Sequence, residues 1–148
     1  MKRIIGLIVV VAVAGALAVA GQARTTTAPS RAGALHVAKV CPASTYQGQP
    51  GGYCTITDSN VAAIPAGAKI FYFEALVGSQ LETDVALYAG PGNVALGHVT
   101  LSLATATGVI TFRGGTGDFR SFKAEADVTY DAAHDIWHWD GTYTGGHG

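Results

Sequence analysis

Val109-Ile110-Thr111-Phe112-Arg113-Gly114-Gly115-Thr116-Gly117-Asp118-Phe119-Arg120 is the stretch that decides how this chain is read. Gly-Gly-Thr-Gly has the outline of a phosphate-binding loop. Such a loop opens a helix and is followed by Lys and Ser/Thr after its last glycine. Here Asp118 follows, and apolar and polar residues alternate on both sides of the run. Gly114, Gly115 and Gly117 therefore read as residues free to take positive φ where one strand reverses into the next. The stretch specifies sheet, not an anion site.

Working outward, the same period of two recurs. Residues 122–130 set Ala124, Ala126, Val128 and Tyr130 against Glu125, Asp127 and Thr129; residues 136–144 set Trp137, Trp139 and Tyr143 against His138, Asp140 and Thr142. Upstream, residues 98–104 set Val99, Leu101 and Leu103 against His98, Thr100 and Ser102. Residues 83–89 set Val85, Leu87 and Ala89 against Asp84, Ala86 and Tyr88, and Gly90-Pro91-Gly92-Asn93 is a turn. Residues 69–77 are aromatic and β-branched with both faces apolar, which hints at packing against another subunit. The segment 109–113, with Ile110 and Phe112 on one face, and two shorter candidates, 35–40 and 53–57, bring the count to eight strands. Alternation broken by glycine-rich turns marks an antiparallel all-β domain. A closed eight-stranded antiparallel β-barrel removes edge strands and leaves an interior that side chains fill or that holds one small ligand. A sandwich is the competing architecture.

The N-terminus stands apart. Lys2 and Arg3 precede an uncharged apolar run to Ala20, and small residues follow to Ala23. This is the pattern of a cleavable secretory signal peptide over 1–23, cut after Ala20 or Ala23. The apolar run is just short of the usual spanning length, and an uncleaved anchor is the alternative. Residues 24–40 read as a flexible lead-in with a strand candidate at its end, and 41–148 as the barrel domain. After the leader, seven Lys/Arg face ten Asp/Glu, with no basic stripe to neutralise a phosphate backbone. Nucleic acid is excluded as a partner, and no stable membrane insertion is expected once the leader is removed. In an oxidising compartment Cys41 and Cys54 are expected to pair as a disulfide around a Pro- and Gly-rich loop.

The glycine run in its strand context resembles the Gly-Gly-Thr-Gly-x-Phe signature of the dirigent / allene oxide cyclase barrel superfamily. Tyr53-Cys54-Thr55-Ile56-Thr57, Gly97-His98-Val99-Thr100-Leu101 and Trp139-Asp140-Gly141-Thr142-Tyr143 resemble its secreted bacterial members. The resemblance spans residues 41–144. It implies an eight-stranded barrel, often trimeric, with a mouth pocket for small hydrophobic molecules and neither metal nor organic cofactor. Plant members guide ring closure of a fatty-acid epoxide or steer the coupling of phenoxy radicals. The chain departs from the dirigent pattern after the motif: Arg120 matches, but Lys123 stands where a second Arg is usual, and the two are not equivalent in forked contacts.

Several side chains are candidates for chemistry. Glu74 lies in the most aromatic segment; facing inward it is a desolvated carboxylate suited to acid/base work, and facing outward a surface charge. Tyr72 and Tyr88 are hydroxyl donors, and Arg120 and Lys123 electrostatic supports at a rim. Asp84 and His98 are polar ligand contacts, and Trp137 and Trp139 an aromatic wall. Asp131, His134, Asp135, His138, Asp140 and His147 cluster late in the chain, but their spacing fixes no metal site. The expectation is a secreted barrel that binds a small apolar molecule, with a cofactor-independent isomerase/cyclase or stereo-guiding role as its catalytic form. A trimer or dimer is its expected assembly. The alternative is a non-catalytic binding or envelope-associated protein with a filled barrel.

Overall fold

Burial of every second residue closes the sheet on itself. The computed structural model describes residues 31–146. Its strands are β1 (Ala32–Val40), β2 (Tyr53–Ser59), β3 (Lys69–Tyr72), β4 (Gln80–Tyr88), β5 (Val94–Ser102), β6 (Thr107–Gly115), β7 (Lys123–Asp131) and β8 (Ile136–Thr144). Each pairs antiparallel with the next, and β8 returns to β1 from Ala32↔Thr144 to Lys39↔Trp137, closing the barrel. The sandwich alternative is thereby set aside. The proposed signal peptide lies outside the described residues.

Two boundaries differ from the sequence reading. The lead-in drawn through residue 40 gives way at Ala32 to a full barrel strand. Its buried residues Leu35, Val37 and Lys39 are too few to announce nine residues of strand; pairing to both β2 and β8 extends it. Strand β3 ends at Tyr72, not near Val77. The Thr83 hydroxyl accepts the amides of Phe73 (3.0 Å) and Glu74 (2.9 Å), and the Leu76 amide donates to the Gly48 carbonyl (2.8 Å). These bonds lead residues 73–79 off the sheet and over one end of the barrel.

The two ends are built differently. At one, the segment between β6 and β7 folds inward through a single 3-10 turn, Gly117–Phe119. Phe119 and Phe122 are fully buried there, together with Ile64. Phe122 packs on Phe112, Phe119 and Tyr143 with ring centroids 5.3–5.9 Å apart. The glycine run serves this plug. Gly117 takes φ +57, and a Cβ on Gly115 would lie 1.8 Å from the Val94 carbonyl oxygen. Two amides of the stretch are committed: Thr116 N–H donates to the Val94 carbonyl (2.8 Å) and Asp118 N–H to Asn93 Oδ1 (3.0 Å). At the other end the Cys41–Cys54 disulfide staples the long β1–β2 loop across the opening.

Removing a fully buried ring leaves a void that the walls close only in part. Phe119→Ala is expected to lower unfolding free energy by about 3–5 kcal/mol in urea denaturation. A loss below about 1 kcal/mol would show that the plug does not hold this end shut.

Candidate functional site

Lys39 is the last inward-facing residue of β1. It has the parity of Leu35 and Val37, so the alternation that buries them takes it inside too. A register shift between Ala38 and Lys39 in the β1–β2 ladder sets it opposite Ile56, and on the other side it faces Trp137 of β8. Irregularities of this kind re-aim side chains beside functional sites. Lys39 is 3% exposed. Its Nζ donates to Tyr72 Oη at 3.0 Å and to Cys41 Sγ at 3.3 Å. The rings of Trp137, Tyr72 and Trp139 surround it at 5.4, 5.7 and 5.9 Å from their centroids. No carboxylate of the described residues pairs with it.

An ammonium so placed has lost its water and gained only ring faces, a phenol and a weak sulfur acceptor in return. Burial lowers the Lys39 pKa from 10.5 to about 7. The same desolvation raises the Tyr72 hydroxyl and pushes Tyr46 up to about 12, so both phenols keep their protons. Tyr46 stacks on Tyr72 with centroids 4.5 Å apart. Its Oη is buried and has no hydrogen-bond partner among the described residues.

These groups line a pocket of about 250 Å³ at the stapled end. Lys39 and Tyr72 are its polar side, and Leu81, Leu101 and Trp137 its apolar wall. Tyr46 from the stapled loop, Leu76 from the β3–β4 loop and Leu103 after β5 complete it. The volume equals about eight waters of the liquid at ~30 Å³ each, the scale of a small ring or short chain. Below it the barrel is packed with Val37, Ile56, Val85, Val99, Ile110, Val128 and Trp139.

Of the residues singled out in the sequence, Tyr72 and Trp137 line this pocket, and Trp139 is buried beside Lys39. The others do not join them. Glu74 shares the parity of Tyr72, and a continued strand would carry it inside. Because β3 stops, its carboxylate folds outward, accepting the Thr83 hydroxyl and the Asp84 amide (2.8 Å). The desolvated acid/base role for Glu74 therefore lacks its setting. Asp84 and His98 pair on the outer wall at 2.9 Å. With Glu74, Phe73, Leu96 and Arg113 they line a separate outer groove of about 360 Å³. Tyr88 is on the outer face, and Arg120 and Lys123 are exposed near the plugged end, far along the barrel from the pocket mouth. Tyr88 and Lys123 have the outward parity of β4 and β7, and Arg120 caps the 3-10 turn outside any strand.

The late acidic and histidine residues do not converge: His134 pairs with Asp131 and Asp140 with His36 of β1, each at 2.7 Å, and Asp135 accepts the Tyr130 hydroxyl (2.8 Å). His147 lies outside the described residues. Among the described residues no group of three or more His, Cys, Asp or Glu converges as a metal centre, and no helix is long and apolar enough to cross a membrane. Sequence reasoning passed over Lys39 and Tyr46. The signal for Lys39 was present, as a charge on the face of Leu35 and Val37; Tyr46 sits in an aperiodic loop and offered none. Comparison with known proteins finds no matching family model, no matching curated protein and no matching solved structure.

Between pH 7 and 10.5 the unfolded chain holds the Lys39 proton and the folded chain releases it, so stability rises with pH across that window. The cost is complete below about pH 7, and its slope is at most about 1.4 kcal/mol per pH unit. The titratable groups packed against Nζ, Tyr46 and Tyr72, are held protonated through most of it. Lys39→Met is therefore expected to be more stable than the parent protein at pH 6, with the difference shrinking toward pH 10 in parallel urea titrations. A difference that stays constant across the window would contradict this burial of a readily deprotonated amine.

Proposed function

We propose that this chain is a secreted protein that binds a small apolar molecule in the stapled-end pocket, as a member of the dirigent / allene oxide cyclase-like superfamily. The observation that carries the reading is the pocket itself. Its walls are leucine and tryptophan, a few polar groups share the lining, and the opposite end is plugged. Ligand sites have this composition, a mostly apolar lining with sparse polar anchors. Secretion is supported by the leader pattern and by the Cys41–Cys54 disulfide, since such bonds persist in oxidising compartments.

In its catalytic form the protein is a cofactor-independent isomerase/cyclase or stereo-guiding protein. The pocket holds a flexible substrate in one conformer, and Tyr46 and Tyr72 supply hydroxyls where charge develops. The second reading, a non-catalytic binding or envelope-associated protein, is favoured by the packed interior below the pocket, which confines the ligand to the mouth. Exposed Phe73 and Leu96 beside the outer groove favour a dimer or trimer.

Titration with 1-hexanol, followed by tryptophan emission, tests the pocket, because Trp137 forms its wall. Saturable binding is expected in the parent protein. Leu103→Glu sets a charge at the rim and is expected to weaken binding about tenfold, equivalent to roughly 1.4 kcal/mol. Absence of any saturable change in the parent protein would contradict the reading.

A further inference from the structure

We propose that Lys39 is the nucleophilic amine of a site that takes a small apolar aldehyde and holds it as an imine. The inference rests on the pocket reading above and names the ligand class it would serve.

Three observations converge. Lys39 lines the pocket, is 3% exposed and has no acidic partner among the described residues. A phenol, Tyr72, stands 3.0 Å from the Lys39 Nζ. A second phenol lining the same pocket, Tyr46, is buried with its hydroxyl unpartnered. A structural lysine would have its charge neutralised or would extend its head to water. This one does neither. Amines desolvated in apolar pockets are the ones that react with carbonyl compounds, and its lowered pKa leaves a substantial neutral fraction near pH 7.

An anionic ligand fits less well. It would bring a second charge out of water into a wall whose remaining polar side chains, Tyr46, Tyr72 and Gln47, are uncharged. An aldehyde enters uncharged. Its oxygen needs hydrogen-bond donors, and the protonated hydroxyls of Tyr46 and Tyr72 stand in the same lining as the amine.

The step balances without a further reactant. The nitrogen lone pair forms a bond to the carbonyl carbon as the carbon–oxygen π pair moves to oxygen. A proton passes from nitrogen to that oxygen, giving a carbinolamine. Loss of the hydroxyl group with a second nitrogen proton releases water and leaves the C=N bond. Nothing is oxidised or reduced. Tyr72 is placed to relay protons at nitrogen, and the apolar walls slow hydrolysis of the product.

The test is reductive trapping on the intact protein with hexanal and cyanoborohydride near neutral pH, mapping the hexyl group by peptide mass spectrometry. An ordinary lysine is almost wholly protonated there, so Lys39 is expected to be labelled more than about tenfold faster than Lys69 or Lys123. Lys39→Met is expected to abolish the fast labelling while Lys69 and Lys123 keep their slow rate. Equal labelling of Lys69, Lys123 and Lys39 would overturn the proposal. So would hexanoate binding with proton uptake in a protein that hexanal leaves unlabelled at Lys39, since the amine then serves as a counter-charge. If hexanol still binds in either case, the pocket reading survives and only the imine falls. If hexanol does not bind the parent protein, the pocket reading falls as well.

Discussion

Closure of β8 onto β1 is the constraint on which the rest of this structure depends. Once Val37 pairs with Trp139 and Lys39 with Trp137, the residues of that parity on β1 from Leu35 onward enter the barrel. For Leu35 and Val37 that is favourable burial. For Lys39 it is forced desolvation, accepted because the strand cannot turn one side chain outward without turning its whole face. The register shift beside Lys39 and the ring faces around its nitrogen reduce the strain of that position without removing it. An interior amine without a counter-charge among the described residues follows from the way the barrel shuts.

The two ends divide the work. The glycine run lets the chain pass close to Val94 and turn through Gly117, which drives Phe119 and Phe122 into one mouth. That end is occupied by protein. At the other end the disulfide holds Tyr46 over Tyr72, while the β3–β4 loop contributes Leu76. Ring stacking, a staple and a loop-to-loop hydrogen bond there frame space without filling it. A barrel of this size has little interior to spare, so a plug at one mouth and a pocket at the other is a division that eight strands can sustain.

Most of the fold was legible because a period of two is hard to imitate. The faces read for residues 122–130 and 136–144 are the faces buried, and the turn at residues 90–93 joins β4 to β5. The glycine run was legible as a structural element, though its form is an inward 3-10 plug and not a tight reversal. The site was far less legible. Glu74 was attractive because of its aromatic neighbours, yet its direction hinged on where β3 ends, and that depends on Thr83, a residue of another strand. Asp84, His98, Tyr88, Arg120 and Lys123 were chosen for their chemistry; outward parity keeps the four strand residues from the pocket, and Arg120 caps the 3-10 turn at the opposite end. Tyr46 gains its place from the stapled loop, whose path no periodicity encodes. Lys39 was hidden by habit: lysine near a strand end reads as solvent-facing unless its parity is counted.

The central claim is that the Lys39 amine sits dry and readily deprotonated against an apolar pocket. Its most direct measurement is the NMR titration of the Lys39 side chain in protein carrying isotope-labelled lysine, assigned with the Lys39→Met variant. The account predicts a midpoint near 7. A midpoint at the ordinary value of 10.5 would place the nitrogen in water and contradict it.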